Sequence, residues 1–400
     1  MSKVAASLIV LACFILAACT TGSSAPPPTG GITVQPRDSS VIVSWTPEAD
    51  VDYWLIFAAA PGVTSQNVTT LPGGRLLPHV SPPLQVPGLV NGTSYSFTVN
   101  GRKGGGPGGT DAPTVSATPR LAGGAWIPGA LPGSANLTGV AHGGLFAAVG
   151  AGGATFYSSD GSSWTAAPFV VSANLNAVTY NGSPAAYIAV GDIGTIITSS
   201  DAQTWQAQIS GVTTKLNGVG TNTAGFFVAV GAGGTLLTST NAATWDDIVL
   251  GTNQDLNSVV LGNGKFVVVG SGGLILTSTD GINWPATPSG TSRDLKSVAF
   301  GTASSGIAQF VAVGAAGTVL TSLDGVAWTV QPPPTTSDLN GISFGTQFVA
   351  VGSGGTIITS HDGAEWAAAA SGTGNALAAV ASGNLGYAAV GASGTNLSSY

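Results

Sequence analysis

The sequence is poor in charge. Lysine, arginine, aspartate and glutamate make up 7% of its 400 residues, against about 25% in an average soluble protein. Its 10 basic residues are outnumbered by 17 acidic ones. Nucleic acid is therefore not expected as a partner, because binding to phosphates needs a basic face. The three histidines lack metal-ligand spacing and there are two cysteines, so we expect no metal site and no cofactor.

Glycine, proline and apolar residues are abundant instead. The 60 glycines and 23 prolines exclude a helical bundle or a coiled coil. The apolar content of 44%, with nine tryptophans, excludes a disordered chain. The length predicts two or three domains.

Residues 1–18 have the pattern of a signal peptide. Lys3 precedes an apolar run over residues 8–18, which is too short to span a membrane. The run ends in Leu16-Ala17-Ala18-Cys19, which resembles the bacterial lipobox and implies that Cys19 is lipidated. The alternative is an ordinary signal peptide with an incidental cysteine. Thr20, where inner-membrane lipoproteins often carry aspartate, implies by the same resemblance the outer membrane of the cell envelope.

This anchor is the expected contact with the membrane, and residues 19–30 are predicted to be a flexible linker because they are rich in proline, serine and glycine. No disulfide is expected in the mature chain, since Cys13 lies within the signal peptide.

Residues 31–119 show short alternating strands separated by turn clusters. Val41-Ile42-Val43-Ser44-Trp45 alternates, and the runs 53–58 and 95–99 are further strands. The segment Leu89-Val90-Asn91-Gly92-Thr93-Ser94-Tyr95 follows a turn pattern. Together these features resemble a fibronectin type III domain. The resemblance implies a sandwich with Trp45 in the core and a Tyr95 hydroxyl bonded to nearby backbone. We interpret the domain as a spacer.

Residues 120–400 hold an internal repeat of about 40 residues. Each unit opens with a leucine, continues to an Ala-Val-Gly or Val-Val-Gly triplet and a glycine-rich turn, and then reaches a strand and an aspartate turn. Four short strands per unit and seven units predict a seven-bladed β-propeller. A linear solenoid is the alternative, but it would need polar capping units. The triplets end at Gly150, Gly191, Gly231, Gly270, Gly314, Gly352 and Gly391.

The seventh unit contains no aspartate turn and no tryptophan. The missing piece appears in Gly123-Gly124-Ala125-Trp126-Ile127-Pro128, where Trp126 precedes Trp164 by one repeat length. We therefore predict that an N-terminal strand completes the last blade and closes the ring, which leaves no open sheet edge.

The turn signature Ser/Thr-x-Asp-Gly-x-x-Trp resembles the Asp-box of sialidases and bacterial neuraminidase-type repeat proteins. The whole region resembles the propeller family that includes photosystem II assembly factors. An aspartate in such a turn can accept backbone N–H bonds, so these aspartates are predicted to be structural. One further copy has Asn241-Ala242 in place of Asp-Gly. The predicted Asp-turns contain Asp160, Asp201, Asp280, Asp324 and Asp362.

The residues that sialidase chemistry needs are missing from the repeats. A sialidase uses three arginines and a Tyr–Glu pair, whereas residues 124–400 contain one arginine, Arg293, and one glutamate, Glu365. The resemblance therefore implies the fold without the activity, and we do not expect an enzyme.

The remaining charges point to one face. In a four-stranded blade the glycine turns and the connections between blades lie on the same side, so most of the charges outside the aspartate turns are expected on one face. The alternative explanation is that charged residues ordinarily lie in loops. We predict a non-enzymatic binding or assembly scaffold in the cell envelope that presents this face to a protein partner. The alternative is a cell-surface carbohydrate-binding protein or glycoside hydrolase. The candidate binding face comprises Asp192, Lys215, Asp255, Arg293, Asp294, Lys296 and Asp338.

Overall fold

The computed structural model describes residues 24–182, 185–222, 224–303, 306–384 and 386–400. The predicted signal peptide and Cys19 lie outside the described residues. The chain divides into two compact units between Pro119 and Arg120. Within the described residues no helix is long and apolar enough to cross a membrane.

The first unit is a sandwich of two antiparallel sheets, with strand orders β1-β2-β5 and β4-β3-β6-β7. Its core buries Trp45 against Tyr53, with ring centroids 5.5 Å apart. The Val90 N–H donates to the Tyr95 hydroxyl at 3.2 Å, so the predicted bond between this hydroxyl and nearby backbone, known as a tyrosine corner, is confirmed. The strands are β1 Ile32–Arg37, β2 Ser40–Trp45, β3 Val51–Ala58, β4 Arg75–Val80, β5 Leu84–Pro87, β6 Tyr95–Lys103 and β7 Val115–Ala117.

The predicted flexible linker over residues 19–30 is wrong in its second half. Ser24 forms a β-bridge with Arg102, and Ala25 is 2% exposed against the sandwich. A Cβ on Gly109 would lie 1.8 Å from the Ala25 carbonyl oxygen, so a glycine is needed where the segment crosses. Residues 24–30 therefore belong to the first unit, because alanine and proline side chains can pack on a sheet as readily as they can form a tether.

The second unit consists of seven antiparallel blades, whose strands we call A to D from the channel outwards. We number the blades by the order of their A strands along the chain. In blade 4 the D strand is reduced to a bridge between Leu276 and Ala286, since Pro285 has no N–H to donate. The A strands are Leu137–His142, Leu175–Gly182, Leu216–Thr221, Leu256–Gly262, Leu295–Thr302, Leu339–Phe344 and Leu377–Gly383. The B strands are Phe146–Gly150, Ala185–Gly191, Phe227–Gly231, Lys265–Gly270, Ala308–Gly314, Phe348–Gly352 and Gly386–Gly391. The C strands are Thr155–Ser158, Ile196–Ser199, Leu236–Ser239, Ile275–Ser278, Val319–Ser322, Ile357–Ser360 and Asn396–Ser399, and the D strands are Thr165–Ala166, Gln206–Gln208, Asp246–Asp247, Thr329–Gln331, Ala367–Ala369 and Ile127–Pro128.

The seven A strands form a closed ring, because each contacts the next and the A strand of blade 7 contacts that of blade 1. The strands approach so closely that a Cβ on Gly139 would lie 3.0 Å from the Ala177 Cα atom. Apolar side chains fill the space between blades. Trp164, for example, packs with Ala388 and Val390 of blade 7. The predicted all-β fold, a fibronectin type III sandwich plus a seven-bladed propeller, is confirmed.

An N-terminal strand closes the ring as predicted. Ile127 and Pro128 pair with Ser398 and Leu397. The Ser399 hydroxyl accepts the Gly123 N–H at 2.7 Å. The Trp126 indole N–H donates to the Gly123 carbonyl at 2.8 Å.

Blade 1 builds the same turn within one continuous segment, where the Gly161 N–H donates to Ser158 and the Trp164 indole donates to the Gly161 carbonyl. The seventh turn is therefore assembled from two segments distant in the chain.

Replacing Trp126 with alanine should lower the free energy of unfolding of the propeller by about 3 kcal/mol, because a buried tryptophan that joins both ends of the ring is lost. The matched control is Ile127→Ala, in the same segment but 49% exposed, which should cost less than about 0.5 kcal/mol. Urea denaturation followed by tryptophan fluorescence measures both. Equal midpoints for the two variants would contradict closure by this segment.

Candidate functional site

The two ends of the channel differ in the turns that surround them. In blade 1 the Ala151 N–H of the glycine turn donates to the Asn136 carbonyl at 2.9 Å. The next N–H, from Gly152, donates to the Asn174 side chain at 2.8 Å. The glycine turns thus lie beside the connections between blades, on what we call the Gly-turn face. The aspartate turns join the C and D strands at the opposite end, the Asp-turn face.

The aspartates of the Asp-turn face are occupied by their own turns. Asp280 accepts the N–H groups of Ile282 and Asn283 at 2.8 and 2.9 Å, and the Ser278 hydroxyl donates to it at 3.0 Å. These bonds, with that from Asn283 the largest effect, hold the pKa of Asp280 well below its ordinary value. Asp160, Asp201, Asp324 and Asp362 accept N–H bonds in the same way, as does Asn241.

Three of the predicted binding-face residues hold the glycine turns of neighbouring blades. Asp255 accepts the Gly233 N–H, Asp294 the Gly272 N–H and Asp338 the Ala316 N–H, each at 2.8 Å. Asn136 and Asn174 make the same bond in other blades. We call these five side chains the latches. The sequence contained a signal for them, since each one immediately precedes the leucine that opens a unit.

The other candidate residues on the Gly-turn face form two ion pairs and one exposed cation. Lys296 Nζ lies 2.8 Å from Asp338 Oδ2 and lowers the pKa of that carboxyl by donating to it. Lys215 Nζ lies 3.9 Å from Asp192 Oδ1. The exposed Arg293 donates to the Ala316 carbonyl at 3.2 Å.

A ring of side chains inside the channel was not predicted from the sequence. The Asn176 amide donates to the Leu216 carbonyl of the next blade at 2.8 Å. Asn217, Asn257 and Asn340 repeat this bond across three further blade junctions. The recurring Leu-Asn pair at the start of the units was its visible signal. The channel encloses about 280 Å³ among these residues, and Lys296 stands at the asparagine position in blade 5.

The glycine turn of blade 2 departs from the others. Its central residue is Ile193, with a φ of 55°, where the other blades have glycine, Ala316 or Ser393. A left-handed conformation costs a non-glycine residue about 1–2 kcal/mol, and for a β-branched residue it is an outlier. Ile193 is nevertheless 71% exposed.

The latch position of this turn is also altered, because it is occupied by Lys215, which cannot accept an N–H bond. Asp192 holds the turn instead, through bonds from the Asn174 and Asn176 amides at 2.9 and 3.0 Å. The Asn176 bond is the largest effect that lowers the pKa of Asp192.

The structure separates the residues that sialidase-like chemistry would need. Arg293 lies on the Gly-turn face, and Glu365 lies within the Asp362 turn on the opposite face. Within the ranges that the structure describes, no group of three or more His, Cys, Asp or Glu side chains could hold a metal ion.

Comparison with known proteins supports both halves of the architecture. Residues 26–117 match the Fibronectin type III domain family. The first unit is a fibronectin type III domain. Two solved structures resemble the chain with a TM-score of 0.55: "YCF48 from Cyanidioschyzon merolae", 17% identical and matched over 69% of this chain and 98% of that one, and "YCF48 bound to D1 peptide", 15% identical, over 68% and 96%. They show the fold of the propeller. No curated protein matches the sequence.

The variant Asp280→Asn should make the propeller less sensitive to acid. The folded-state pKa of Asp280 is lowered from 3.8, so its carboxylate stabilises the fold above that value, and the contribution is lost as the pH falls through the lowered pKa. Asparagine keeps the acceptor oxygen, as Asn241 does, but does not titrate.

Thermal melting from neutral pH down to about pH 2 measures the effect. The melting temperature of the variant should fall by less than that of the wild type. The exposed Asp246→Asn serves as the control, and equal slopes for Asp280→Asn and the wild type would refute the prediction.

Proposed function

We propose that this chain is an envelope-anchored, non-enzymatic binding or assembly scaffold, and that its propeller presents the Gly-turn face to a protein partner. The proposal rests on the hydrogen bonds that hold the turns of this face in place. In five of the seven blades a latch fixes the glycine turn to the next blade, so Asp255 and Asp294, which are two of the latches, stand at defined positions around one channel mouth. A surface ordered before binding loses little entropy when a partner docks.

The likeness to a propeller described as bound to a D1 peptide supports a peptide or protein ligand. A sugar would normally need exposed aromatic platforms. The seven described propeller tryptophans instead donate their indole N–H groups to their own turns and pack between blades. These bonds come from Trp126, Trp164, Trp205, Trp245, Trp284, Trp328 and Trp366.

The anchoring part of the proposal rests on the sequence around Cys19. Leu16-Ala17-Ala18-Cys19 resembles a lipobox, and a lipidated cysteine would attach the chain to a membrane without any spanning helix. The fibronectin type III domain then serves as the spacer between the anchor and the propeller.

Capture of a partner from envelope extract tests the proposed face. The bait is the full chain, and its matched variant carries Asp255→Asn and Asp294→Asn. Asparagine keeps the latch bonds, as Asn136 and Asn174 do, but removes both charges, so the melting temperature should change by less than about 2 °C.

We expect crosslinking to the wild type to yield a protein whose recovery falls at least about tenfold with the variant. Failure of the wild-type bait to retain any protein would overturn the proposed function. Equal capture by both baits would place the contact elsewhere.

The variant Cys19→Ser should release the protein from membranes, because it removes the thiol that would carry the lipid. Cys13→Ser is the matched control, since it changes the other cysteine within the predicted signal peptide and should leave the protein bound. Fractionation of cells followed by immunoblotting measures both. Membrane retention of Cys19→Ser would contradict the lipid anchor.

A further inference from the structure

We infer that the Gly-turn face of blades 1–3 docks a peptide segment of a protein partner that combines apolar and basic side chains, with Ile193 as the central contact. The inference rests on the proposed function and names its partner by chemistry. The equivalent glycine turns of the other blades serve as references for the turn that contains Ile193.

The requirements of folding do not account for an isoleucine at position 193. Glycine occupies the same position in four blades and would relieve the left-handed strain. The isoleucine places an apolar side chain in solvent and gains no described packing in return. Strained residues of this kind concentrate at functional sites.

Further apolar side chains accompany Ile193 on the same face. Phe169, Ile209 and Val249 lie in the connections that leave blades 1, 2 and 3, and are 68%, 84% and 92% exposed. The described glycine turns and connections of blades 4–7 hold no comparably exposed large apolar side chain; Val330, 50% exposed, lies in the D strand of blade 5, and the other exposed apolar residues of these blades lie in the D strand of blade 7 or on the Asp-turn face. Exposed apolar groups clustered on one part of a monomer mark interaction sites. We call these residues the apolar arc: Phe169, Val170, Ile193, Ile209 and Val249.

The negative charge of the propeller indicates which kind of peptide segment would bind to this face. Residues 120–400 contain five basic and twelve acidic residues, so the propeller carries the whole net charge of −7. Asp255 lies in the same connection as Val249, and its latch bond uses Oδ1. Asp294 follows in the next connection. Lys215 is offset by Asp192. A basic side chain next to an apolar one therefore complements this surface.

A phage-displayed library of random dodecapeptides, selected on the full chain, tests the inference. The variant Ile193→Gly removes the exposed side chain and its strain. The matched control is Ala316→Gly, which relieves the same φ in blade 5 outside the apolar arc. Both variants should melt higher than the wild type, by about 2 °C, so that a loss of binding by Ile193→Gly cannot be attributed to unfolding.

We expect the enriched peptides to pair apolar residues with lysine or arginine. They should bind Ile193→Gly at least about tenfold more weakly than the wild type, and Ala316→Gly as well as the wild type. Enrichment of acidic peptides, equal binding by the three proteins, or no enrichment would each overturn the inference. The proposed function would then still stand if the wild-type chain captures its envelope partner, and it fails only if no protein is retained.

Discussion

The propeller depends on side chains of one blade that bond to the backbone of the next. Within the residues that the structure describes, the β-ladders of the propeller join strands of the same blade, and a single bridge, between Ala130 and Ser163, crosses from blade 7 to blade 1. Asn176 and its equivalents satisfy the carbonyl at the start of the following A strand. The latches satisfy an N–H of the preceding glycine turn. Backbone groups that no strand pairs need other partners, and these bonds also hold the blades in register.

The sequence was sufficient to predict the architecture because the fold is periodic. Each triplet and each tryptophan position returns at a spacing that only a repeated supersecondary unit explains, and the displaced Trp126 located the closing strand. Trp45 and Tyr95 similarly fixed the core and the corner of the fibronectin type III domain. By contrast, the boundary of residues 24–30 could not be predicted, since small apolar residues suit both a tether and a sheet surface.

The roles of individual charges were harder to predict. Asp255, Asp294 and Asp338 suggested a binding face because charges are scarce in this chain, yet each is bonded to a backbone N–H of another blade. The donor and the acceptor of each bond are 22 residues apart, and a sequence does not show which N–H points at which carboxylate. The strain at Ile193 could not be predicted for a related reason, since its positive φ is a property of the folded backbone and not of the sequence.

The split turn at Ser399 affects how the molecule is made. Its hydroxyl bonds to Gly123, 276 residues earlier, so the first propeller strand to leave the ribosome waits until the C strand of blade 7 has been translated. Until then Ile127–Pro128 has no partner, and an unpaired strand edge is a template for pairing with other chains. A product interrupted before Asn396 leaves that strand without its partner. Completion of blade 7 therefore follows the synthesis of all seven A strands, and the earliest-made strand of the propeller is the last to be paired.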